Sequence, residues 1–434
     1  MNLDDKKTIN AWCSYDWANS VYNLIVTTAI FPIYYTNATE AAFGGSLVEF
    51  FGLQIENSVL YSYAISLSFL VAVLLYPVLS GIADYRGAKK SYMRFFTYLG
   101  SVACMGLFFF DGSNIELGIL LAMTASIGYA SSVVFYNAFL PEIASESMMD
   151  KVSARGFSMG YIGSVLLLIV SLVLVQMPET FGFDGAGSAT KFVFLIVGLW
   201  WFGFAHIAFA KLKDQPTKNK ITSAVLSSGF RELQKVFKNL KQNIHSIRFL
   251  SSFFFYSMGV QSVMLLAPLF AAQEIGMESV EMILVILIIQ LVAIAGAYLF
   301  SGISSKKGNK TSIIIAVVIW LSICVIAYLI HDKTAFYGLA ALLGLVMGGI
   351  QSISRSTYSK LIPEGTRDTA SYFSFYDVTE KLATVLGTFT YGYILSLTGT
   401  MRNSILFMTI FFGIGLVTLI TTQLQGPTKQ TTND

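Results

Sequence analysis

Twelve apolar runs, each close to the length that crosses a bilayer as a helix, dominate this sequence of 434 residues. A membrane helix uses about 20 predominantly apolar residues. The runs are continuous rather than alternating, which favours helices over a porin-type barrel. Only 12% of the residues are charged, well below the fraction in soluble proteins, so the sequence predicts an all-α membrane protein. The runs lie near residues 12–36, 58–80, 92–110, 115–138, 152–177, 190–210, 247–271, 280–301, 311–331, 335–355, 370–397 and 403–423.

Basic residues are distributed unevenly between alternate loops. If the amino terminus lies in the cytoplasm, the outer loops contain only Lys191, Lys333 and Arg402, and nearly all other basic residues fall in cytoplasmic segments. This asymmetry follows the positive-inside rule, so we predict that both termini are cytoplasmic. No small-residue cleavage pattern follows the first apolar run, which indicates that this run is retained as a span.

The longest cytoplasmic stretch divides the chain. We predict an amino-terminal six-helix half at residues 1–210, a linker at 211–246 and a carboxyl-terminal six-helix half at 247–434. Within the linker, apolar residues recur at helical spacing opposite basic residues, as in an amphipathic helix on the anionic inner leaflet. A solvated basic linker is the alternative interpretation. The apolar residues of the predicted helix are Phe230, Leu233, Phe237, Leu240 and Ile244.

Two loop sequences recur about half a chain apart. Residues 80–89 align with residues 301–310 at an offset of 221. At an offset of 222, four residues match in order: Ser132, Tyr136, Pro141 and Glu142 correspond to Ser354, Tyr358, Pro363 and Glu364. Nearly equal offsets between equivalent loops indicate duplication of a six-helix unit with parallel halves. We therefore predict twelve transmembrane helices in two halves, related by a pseudo-two-fold axis normal to the membrane.

The loop at residues 80–90 resembles the signature between helices 2 and 3 of the major facilitator superfamily. Ser80 replaces the usual first glycine, and Arg86 lies one position later than the common arginine. Glycines permit a tight turn, and Asp84 can accept hydrogen bonds from helix N-termini or an arginine. The resemblance implies the major facilitator fold and cytoplasmic gating, whereas the alternative is a loop that serves only topology. The candidate gating residues are Asp84, Arg86, Lys89, Arg155 and Arg355.

Three further motifs are similar to those of the autophagy-related vacuolar effluxer family and its bacterial relatives. They include Trp12 with residues 15–20 and Phe31-Pro32, then residues 153–161, and residues 348–363. The resemblance covers the whole chain and implies a permease of the bacterial cytoplasmic membrane. Amino-acid efflux is attributed to fungal members, while substrates of the bacterial branch are mostly unassigned. One departure is that residues 257–261 lack the acid that helix 7 often carries in this family.

Helix 1 carries a polar stripe on an otherwise apolar surface. Asp16, Asn19, Ser20, Asn23 and Thr27 fall on one helical face. A charge deep in a membrane helix costs on the order of 2.5–3.5 kcal/mol, so Asp16 should face a watery cavity, be paired or be protonated. The alternative is a charge near the helix start that interacts with the helix dipole. With polar residues on other helices, the candidate substrate-binding residues are Asp16, Asn19, Tyr22, Asn23, Tyr129, Ser132, Tyr136, Ser257, Gln261 and Gln351.

Helix 11 contains a second group of charges inside the membrane. Asp377 and Lys381 are four residues apart, the spacing of an internal ion pair, which would leave Glu380 with a free proton site. The alternatives are a structural pair, a proton relay and recognition of a charged substrate. Desolvation disfavours the charged form of a membrane carboxylate, which suits proton exchange. The candidate coupling residues are Asp16, Asp377, Glu380 and Lys381.

These features predict a secondary transporter that moves a small polar solute by alternating access, with efflux of an amino acid or similar metabolite and proton coupling as the specific expectation. No phosphate-binding Gly-x-x-x-x-Gly-Lys-[Ser/Thr] loop is present, so ATP does not drive it directly. The competing classes are a membrane-embedded enzyme and a non-transporting receptor. The three cysteines and three histidines are scattered, and we expect no cofactor, no metal site and no nucleic-acid partner. The expected partners are solute, membrane lipid and protons, with the protein as a monomer.

Overall fold

Helices account for nearly all regular structure in the described chain. The structure is a computed structural model and describes residues 2–217 and 225–424. Its α-helices in chain order are α1 (Lys6–Val21), α2 (Phe31–Phe43), α3 (Asn57–Arg86), α4 (Lys89–Gly106), α5 (Ile115–Asn137), α6 (Leu140–Ile143), α7 (Glu146–Gln176), α8 (Ala186–Lys211), α9 (Val225–Gln242), α10 (Ile244–Gln273), α11 (Ser279–Lys307), α12 (Asn309–Leu329), α13 (Lys333–Leu361), α14 (Thr369–Thr398) and α15 (Met401–Ile420).

Ten helices in the described residues are long and apolar enough to cross a membrane. The other two predicted spans are more complex. The first is built from α1, a π-helical segment at Tyr22–Ile30 and α2, which follow one another without a loop. The other is α14, which has sufficient length but contains Asp377, Glu380 and Lys381. The all-α membrane class is confirmed, while the count of twelve transmembrane helices remains a prediction.

The π-helical segment in the first predicted span has a local chemical cause. Pro32, in the first turn of α2, has no N–H group and would crowd the carbonyl of residue 28 in a regular helix. The wider turns before it relieve this clash. Thr28 Oγ1 donates a hydrogen bond of 2.9 Å to the carbonyl of Asn23, which lies five residues earlier. The apolar pattern of the sequence gives no sign of this change in helical pitch.

A short hairpin joins α2 to α3. Strands β1 (Leu47–Phe50) and β2 (Leu53–Glu56) pair antiparallel, with Val48 opposite Ile55. The two residues between the strands, Phe51 and Gly52, both have positive φ angles of 47° and 81°. Such angles are typical of a two-residue turn whose twist matches the strands.

The described residues form two compact units. The first unit comprises Asn10–Asn137 and Met159–Gly229. The second unit comprises Met1–Ile9, Ala138–Ser158 and Phe230–Asp434. The segment Ala138–Ser158 therefore packs with the carboxyl-terminal helices, although it precedes the linker in sequence. The predicted division at residues 1–210, 211–246 and 247–434 describes the order of the chain and remains a prediction.

Small residues allow α11 and α13 to approach closely within the second unit. A Cβ atom on Gly348 would overlap the carbonyl oxygen of Ala293, and one on Gly344 would overlap that of Ile289. A third contact of this kind brings Gly296 against the backbone of Leu345. Membrane helices use such small residues to gain van der Waals contact where lipid offers no hydrophobic driving force.

Replacing Gly348 with alanine should destabilise the protein, because the added methyl group meets backbone atoms that cannot rotate away. Overpacking of this kind costs about 1–3 kcal/mol. We expect a lower apparent Tm for purified Gly348→Ala in detergent. Gly338→Ala is the matched control, because Gly338 lies in the same helix with open space around it. Equal Tm values for the two variants would contradict the close packing of α11 and α13.

Candidate functional site

The carboxylate of Asp16 is buried in the first unit and bonded to a tyrosine. Its side chain is 7% exposed, and Tyr136 Oη donates a hydrogen bond of 2.8 Å to Asp16 Oδ2. The ring of Tyr136 stacks on Trp12 at a centroid distance of 4.4 Å, and Trp12 Nε1 donates to the carbonyl of Tyr136. The structure thus brings together Asp16 and Tyr136, which were predicted separately on helices 1 and 4.

The polar stripe of helix 1 changes its surroundings along its length. Asn19 is buried, Ser20 and Thr27 are half-buried, and Asn23 is exposed. Asn19 Nδ2 is buried without a hydrogen-bond partner among the described residues, whereas its Oδ1 accepts a long bond of 3.4 Å from Ser20 Oγ. Buried amide donors are rarely left unbonded. Asn19 therefore offers a donor, less than one helical turn from the Asp16 carboxylate.

Glycines on α7 allow α1 to pack closely behind this stripe. A Cβ atom on Gly160 would overlap Ser20 Oγ, and one on Gly163 would lie 2.9 Å from the carbonyl oxygen of Trp17. Trp17 is also fixed from α8, because Trp200 Nε1 donates a hydrogen bond of 3.1 Å to the Trp17 carbonyl. The stripe is consequently held on a well-packed helix.

The remaining candidates of the first unit lie in an aromatic group. Tyr22 is buried with its ring centroid 5.4 Å from that of Tyr129 and 5.4 Å from that of Trp201. Ser132 is also buried and donates to the carbonyl of Tyr129 in its own helix. Sequence reasoning missed Trp201, because a tryptophan in an apolar run carries no sign of its partners.

In the second unit, α10 and α14 are joined by a hydrogen bond between two predicted residues. Gln261 Nε2 donates a bond of 2.6 Å to Glu380 Oε1. Glu380 is half-buried, and Ser257 is buried one turn before Gln261. Gln351 Nε2 lies 3.8 Å from Met264 Sδ, a weak contact. The polar group predicted on helix 7 therefore faces the acid of helix 11.

Asp377 and Lys381 differ in exposure. Asp377 is buried and Lys381 is half-buried on the same helix, α14. Nearby, Tyr256 Oη and Ser354 Oγ share a hydrogen bond of 2.7 Å. The ion pair predicted from the four-residue spacing remains a prediction.

A cluster that the sequence analysis did not identify surrounds Asp150, at the start of α7. Asp150 Oδ2 accepts from Lys360 Nζ at 2.8 Å and from Ser304 Oγ at 2.9 Å, while Oδ1 accepts from Asn309 Nδ2 at 2.9 Å. Lys360 Nζ also donates to Asn309 Oδ1 at 2.9 Å. Asp150 is 3% exposed. These residues, Asp150, Ser304, Asn309 and Lys360, are called the Asp150 cluster below.

Arg355 lies in the same unit and also contacts α7. Its Nε donates to Ser153 Oγ and its second guanidinium nitrogen donates to the Ser153 carbonyl, both at 2.9 Å. The guanidinium carbon lies 4.1 Å from the centroid of the Phe157 ring. Arg355 is 3% exposed, so its side chain is buried among these protein groups. The other candidate gating arginine, Arg155, is exposed on α7.

The signature loop of the first unit contains a buried charge pair. Lys89 Nζ lies 3.7 Å from Asp84 Oδ1, with side-chain exposures of 9% and 0%. Arg86, the third predicted gating residue of this loop, is half-buried, and its carbonyl accepts a hydrogen bond from the N–H group of Thr217. Removing one partner of a buried ion pair is costly because the other charge stays buried. The loss of Asp84 would therefore leave the ammonium of Lys89 buried without this carboxylate.

The start of the linker is bound to this loop. The N–H group of Gln215 donates to the carbonyl of Gly87 at 2.9 Å, and Asp214 accepts from the N–H group of Lys90 at 2.6 Å. Gly87 has φ of 63°, and a Cβ atom there would overlap the Gln215 carbonyl. The glycine of the signature thus serves both a left-handed turn and the close approach of the linker.

Comparison with known proteins places these features in a family. The family model for "Vacuole effluxer Atg22 like" proteins matches residues 4–431. The chain belongs to the Atg22-like vacuole effluxer family. It is therefore a transporter rather than a membrane-embedded enzyme.

Two relatives illustrate the range of this family. The chain is 32% identical over 416 residues to the uncharacterized MFS-type transporter YxiO of Bacillus subtilis, covering 95% of this chain and 94% of the relative. It is 25% identical to autophagy-related protein 22-1 of Penicillium rubens, covering 89% of this chain and 78% of the relative.

Solved structures confirm the major facilitator fold. The transporter FucP in its outward conformation aligns with a TM-score of 0.70 and 13% identity, covering 96% of this chain and 99% of FucP. The proton:xylose symporter XylE aligns with a TM-score of 0.69 and 11% identity, covering 95% of this chain and 94% of XylE. At such low identity the likeness concerns the fold alone.

This Atg22-like chain lacks the acid that helix 7 often carries in the family, but a carboxylate from another helix lies beside the same segment. The segment at residues 257–261 has no carboxylate of its own. The carboxylate beside Gln261 is instead that of Glu380, supplied by α14.

Breaking the Asp150–Lys360 ion pair should strongly destabilise the protein. Removing one partner of a buried pair costs about 3–5 kcal/mol, because the other charge stays buried. We expect Asp150→Ala and Lys360→Met each to lower stability, and the double variant to lose clearly less than the sum. Denaturant unfolding of the purified variants in detergent measures this coupling.

The exposed Lys333–Glu281 pair is the control for this comparison of single and double variants. Its N–O distance is 2.7 Å, similar to that of the buried pair, but its side chains are 42% and 28% exposed. Lys333→Met should cost less than about 1 kcal/mol. Additive effects of Asp150→Ala and Lys360→Met, or a cost as small as that of the control, would show that the buried pair is not coupled.

Proposed function

We propose that this transporter exports a small polar solute, an amino acid or a related metabolite, by alternating access coupled to protons. The observation that carries the proposal is the hydrogen-bonded attachment of Ala138–Ser158 to the carboxyl-terminal helices. Alternating access requires contacts that form in one state and separate in another. The segment Ala138–Ser158 precedes the linker in sequence, yet charged and hydroxyl groups hold it against the carboxyl-terminal helices.

The chemistry of this attachment suits reversible separation. Asp150, Lys360 and Arg355 each have strong hydrogen bonds in the described conformation, and water can replace such bonds when the contact opens. A wholly apolar contact would instead expose hydrocarbon to water when it separates. We infer that the Asp150 cluster and the Arg355–Ser153 contact close the cytoplasmic side in one state of the transport cycle.

The polar stripe of helix 1 supports a solute with hydrogen-bonding groups. Asp16 provides a carboxylate and Asn19 a buried amide, and the exposed Asn23 continues the same helical face. These groups complement the ammonium and carboxylate groups of an amino acid. The description of the matching family model, a vacuole effluxer, agrees with efflux as the direction of transport.

Two carboxylates are our candidates for proton coupling. Asp16 accepts a hydrogen bond from Tyr136, and Glu380 accepts one from Gln261. Both donors are neutral, so neither bond supplies a compensating positive charge. Asp16 is the stronger candidate, because it shares a helical face with the proposed solute-binding residues and its protonation would alter that surface.

The concentration of basic residues in alternate loops supports insertion of the protein into a bacterial cytoplasmic membrane, with both termini in the cytoplasm. In that orientation the Asp150 cluster and the linker lie on the cytoplasmic side, together with the signature loop. Export would then begin from a state in which this side is open.

Asp16→Asn should abolish accumulation driven by a pH gradient while retaining exchange of solute. The amide resembles the protonated acid and cannot release a proton, so binding survives but coupling does not. Inside-out proteoliposomes loaded with a pH gradient and supplied with radiolabelled amino acids measure accumulation, and counterflow without a gradient measures exchange. Failure of every amino acid to exchange in the wild-type protein would contradict the proposed solute class.

The matched control is Asp184→Asn, which makes the same change at an exposed loop residue. We expect it to accumulate solute like the wild-type protein. If Asp16→Asn also accumulates solute in full response to the gradient, Asp16 is not the coupling site, and Glu380→Gln becomes the next variant to measure.

A further inference from the structure

We propose that the outer face of α9 binds the headgroups of anionic phospholipids in the cytoplasmic leaflet. This face consists of Phe237, Lys238 and Lys241, and it is called the α9 lipid face below. The exposed Ile244 follows it at the start of α10. Lipid bound there would stabilise or regulate the protein whichever solute it transports.

The orientation of α9 is set by its contacts with the rest of its unit. Val236 is fully buried and Leu240 is 3% exposed, and these residues lie one turn apart on the same side of the helix. On the flank of this side, Phe237 and Phe375 stack with ring centroids 5.9 Å apart. Lys235 Nζ lies 2.8 Å from Asp368 Oδ2, just before α14. The helix is therefore docked and cannot simply rotate its apolar residues inward.

Docking leaves part of the predicted apolar stripe uncovered. Phe237 is 45% exposed and Ile244 is 51% exposed. Leu240, which was predicted on this stripe, packs inward instead. The side chains of Phe230 and Leu233 lie outside the described part of the structure. Phe237 on α9 and Ile244 at the start of α10 thus each keep about half of their surface uncovered by the rest of the described chain.

The position of α9 along the chain places this surface near the membrane. α9 ends at Gln242, and a single residue, Asn243, separates it from α10. Asn243 caps α10 by accepting hydrogen bonds from the N–H groups of His245 and Ser246. The candidate membrane span begins at Ile244. Lys238 and Lys241 lie only six and three residues before Ile244, so their side chains lie close to the start of that span, where lipid headgroups are.

The charges beside the apolar residues match an anionic leaflet. Lys238 and Lys241 are exposed, and Lys241 Nζ lies 4.6 Å from the centroid of the Phe237 ring. Lysines that flank exposed apolar groups at the membrane surface bind acidic lipids, while the apolar groups insert among the acyl chains. An acidic soluble partner would match the lysines but would not explain apolar side chains at this depth.

Lipid bound at this face would act on α14 through α9. Lys235 bonds to Asp368 immediately before α14, and Phe237 of the lipid face itself stacks on Phe375 within α14. The same helix carries Asp377, Glu380 and Lys381. We therefore expect anionic lipid to stabilise the α9–α14 contact.

Native mass spectrometry of the purified full-length protein, with added phosphatidylglycerol or phosphatidylcholine, tests the site. We expect preferential binding of phosphatidylglycerol to the wild-type protein. Lys238→Gln/Lys241→Gln should weaken this binding by roughly tenfold or more, because each surface lysine contributes appreciably to the attraction of anionic lipid. Lys306→Gln/Lys307→Gln is the matched control, since it removes two exposed lysines from the end of α11.

Two outcomes of the mass spectrometry would overturn the proposal. One is equal loss of phosphatidylglycerol binding in both double variants, which would indicate general attraction by positive charge. The other is unchanged binding in Lys238→Gln/Lys241→Gln. A third arm uses inorganic phosphate and thermal unfolding: stabilisation equal to that given by phosphatidylglycerol would assign the site to free anions and contradict a lipid site.

Spin labelling locates the face without removing a lysine. The native Cys13, Cys104 and Cys324 are buried, so a label on Phe237→Cys reports that position. In bilayers containing phosphatidylglycerol, we expect the label to be more accessible to oxygen than to a water-soluble nickel complex. A label on Lys213→Cys, at an exposed linker residue, provides the aqueous reference. Equal, water-like accessibility at the two positions would contradict insertion of the α9 lipid face.

Discussion

Buried charge is the physical constraint on which this structure depends. A carboxylate moved out of water loses several kcal/mol of solvation, which only partners with good geometry can replace. Asp150 meets this requirement with three donors, from Lys360, Ser304 and Asn309. Because these partners come from the ends of α11, α12 and α13, satisfying one carboxylate fixes where four helices meet, including α7. About one turn further along α7, Ser153 accepts a hydrogen bond from the buried Arg355, which adds a second polar contact between α7 and α13.

The same constraint explains how a stable contact can also be reversible. The close approaches of α11 and α13 at Gly344 and Gly348 are dry backbone contacts, and separating them would expose carbonyl groups and leave voids. The Asp150 cluster consists of groups that water hydrates well, so its opening costs less than its burial suggests. On the proposed mechanism, the protein keeps the close pair of α11 and α13 intact and exchanges the polar contacts of the Asp150 cluster between conformations.

The sequence predicted the class of fold because hydropathy acts over whole helices, and the loop at residues 80–90 identified the superfamily through a few residue types in order. Asp16 and Tyr136 were recognised as unusual polar groups in apolar runs, but their direct bond was not, since no local pattern encodes a partner 120 residues away. Lys360 resembled any topological lysine, and Asp150 an acid at a helix end. The division of α9 into a docked side and an exposed side likewise depends on α14, not on periodicity within the helix.

The most direct measurement of the proposed reversible contact is transport by a cross-linked protein. Thr369 Oγ1 donates a hydrogen bond of 3.0 Å to Glu142 Oε1, away from the Asp150 cluster. In Glu142→Cys/Thr369→Cys, a short bifunctional methanethiosulfonate reagent should join α6 to the start of α14. We expect amino-acid counterflow in proteoliposomes to stop on cross-linking and to recover when a reductant cleaves the linker. Full counterflow in completely cross-linked protein would contradict the opening of this contact during transport.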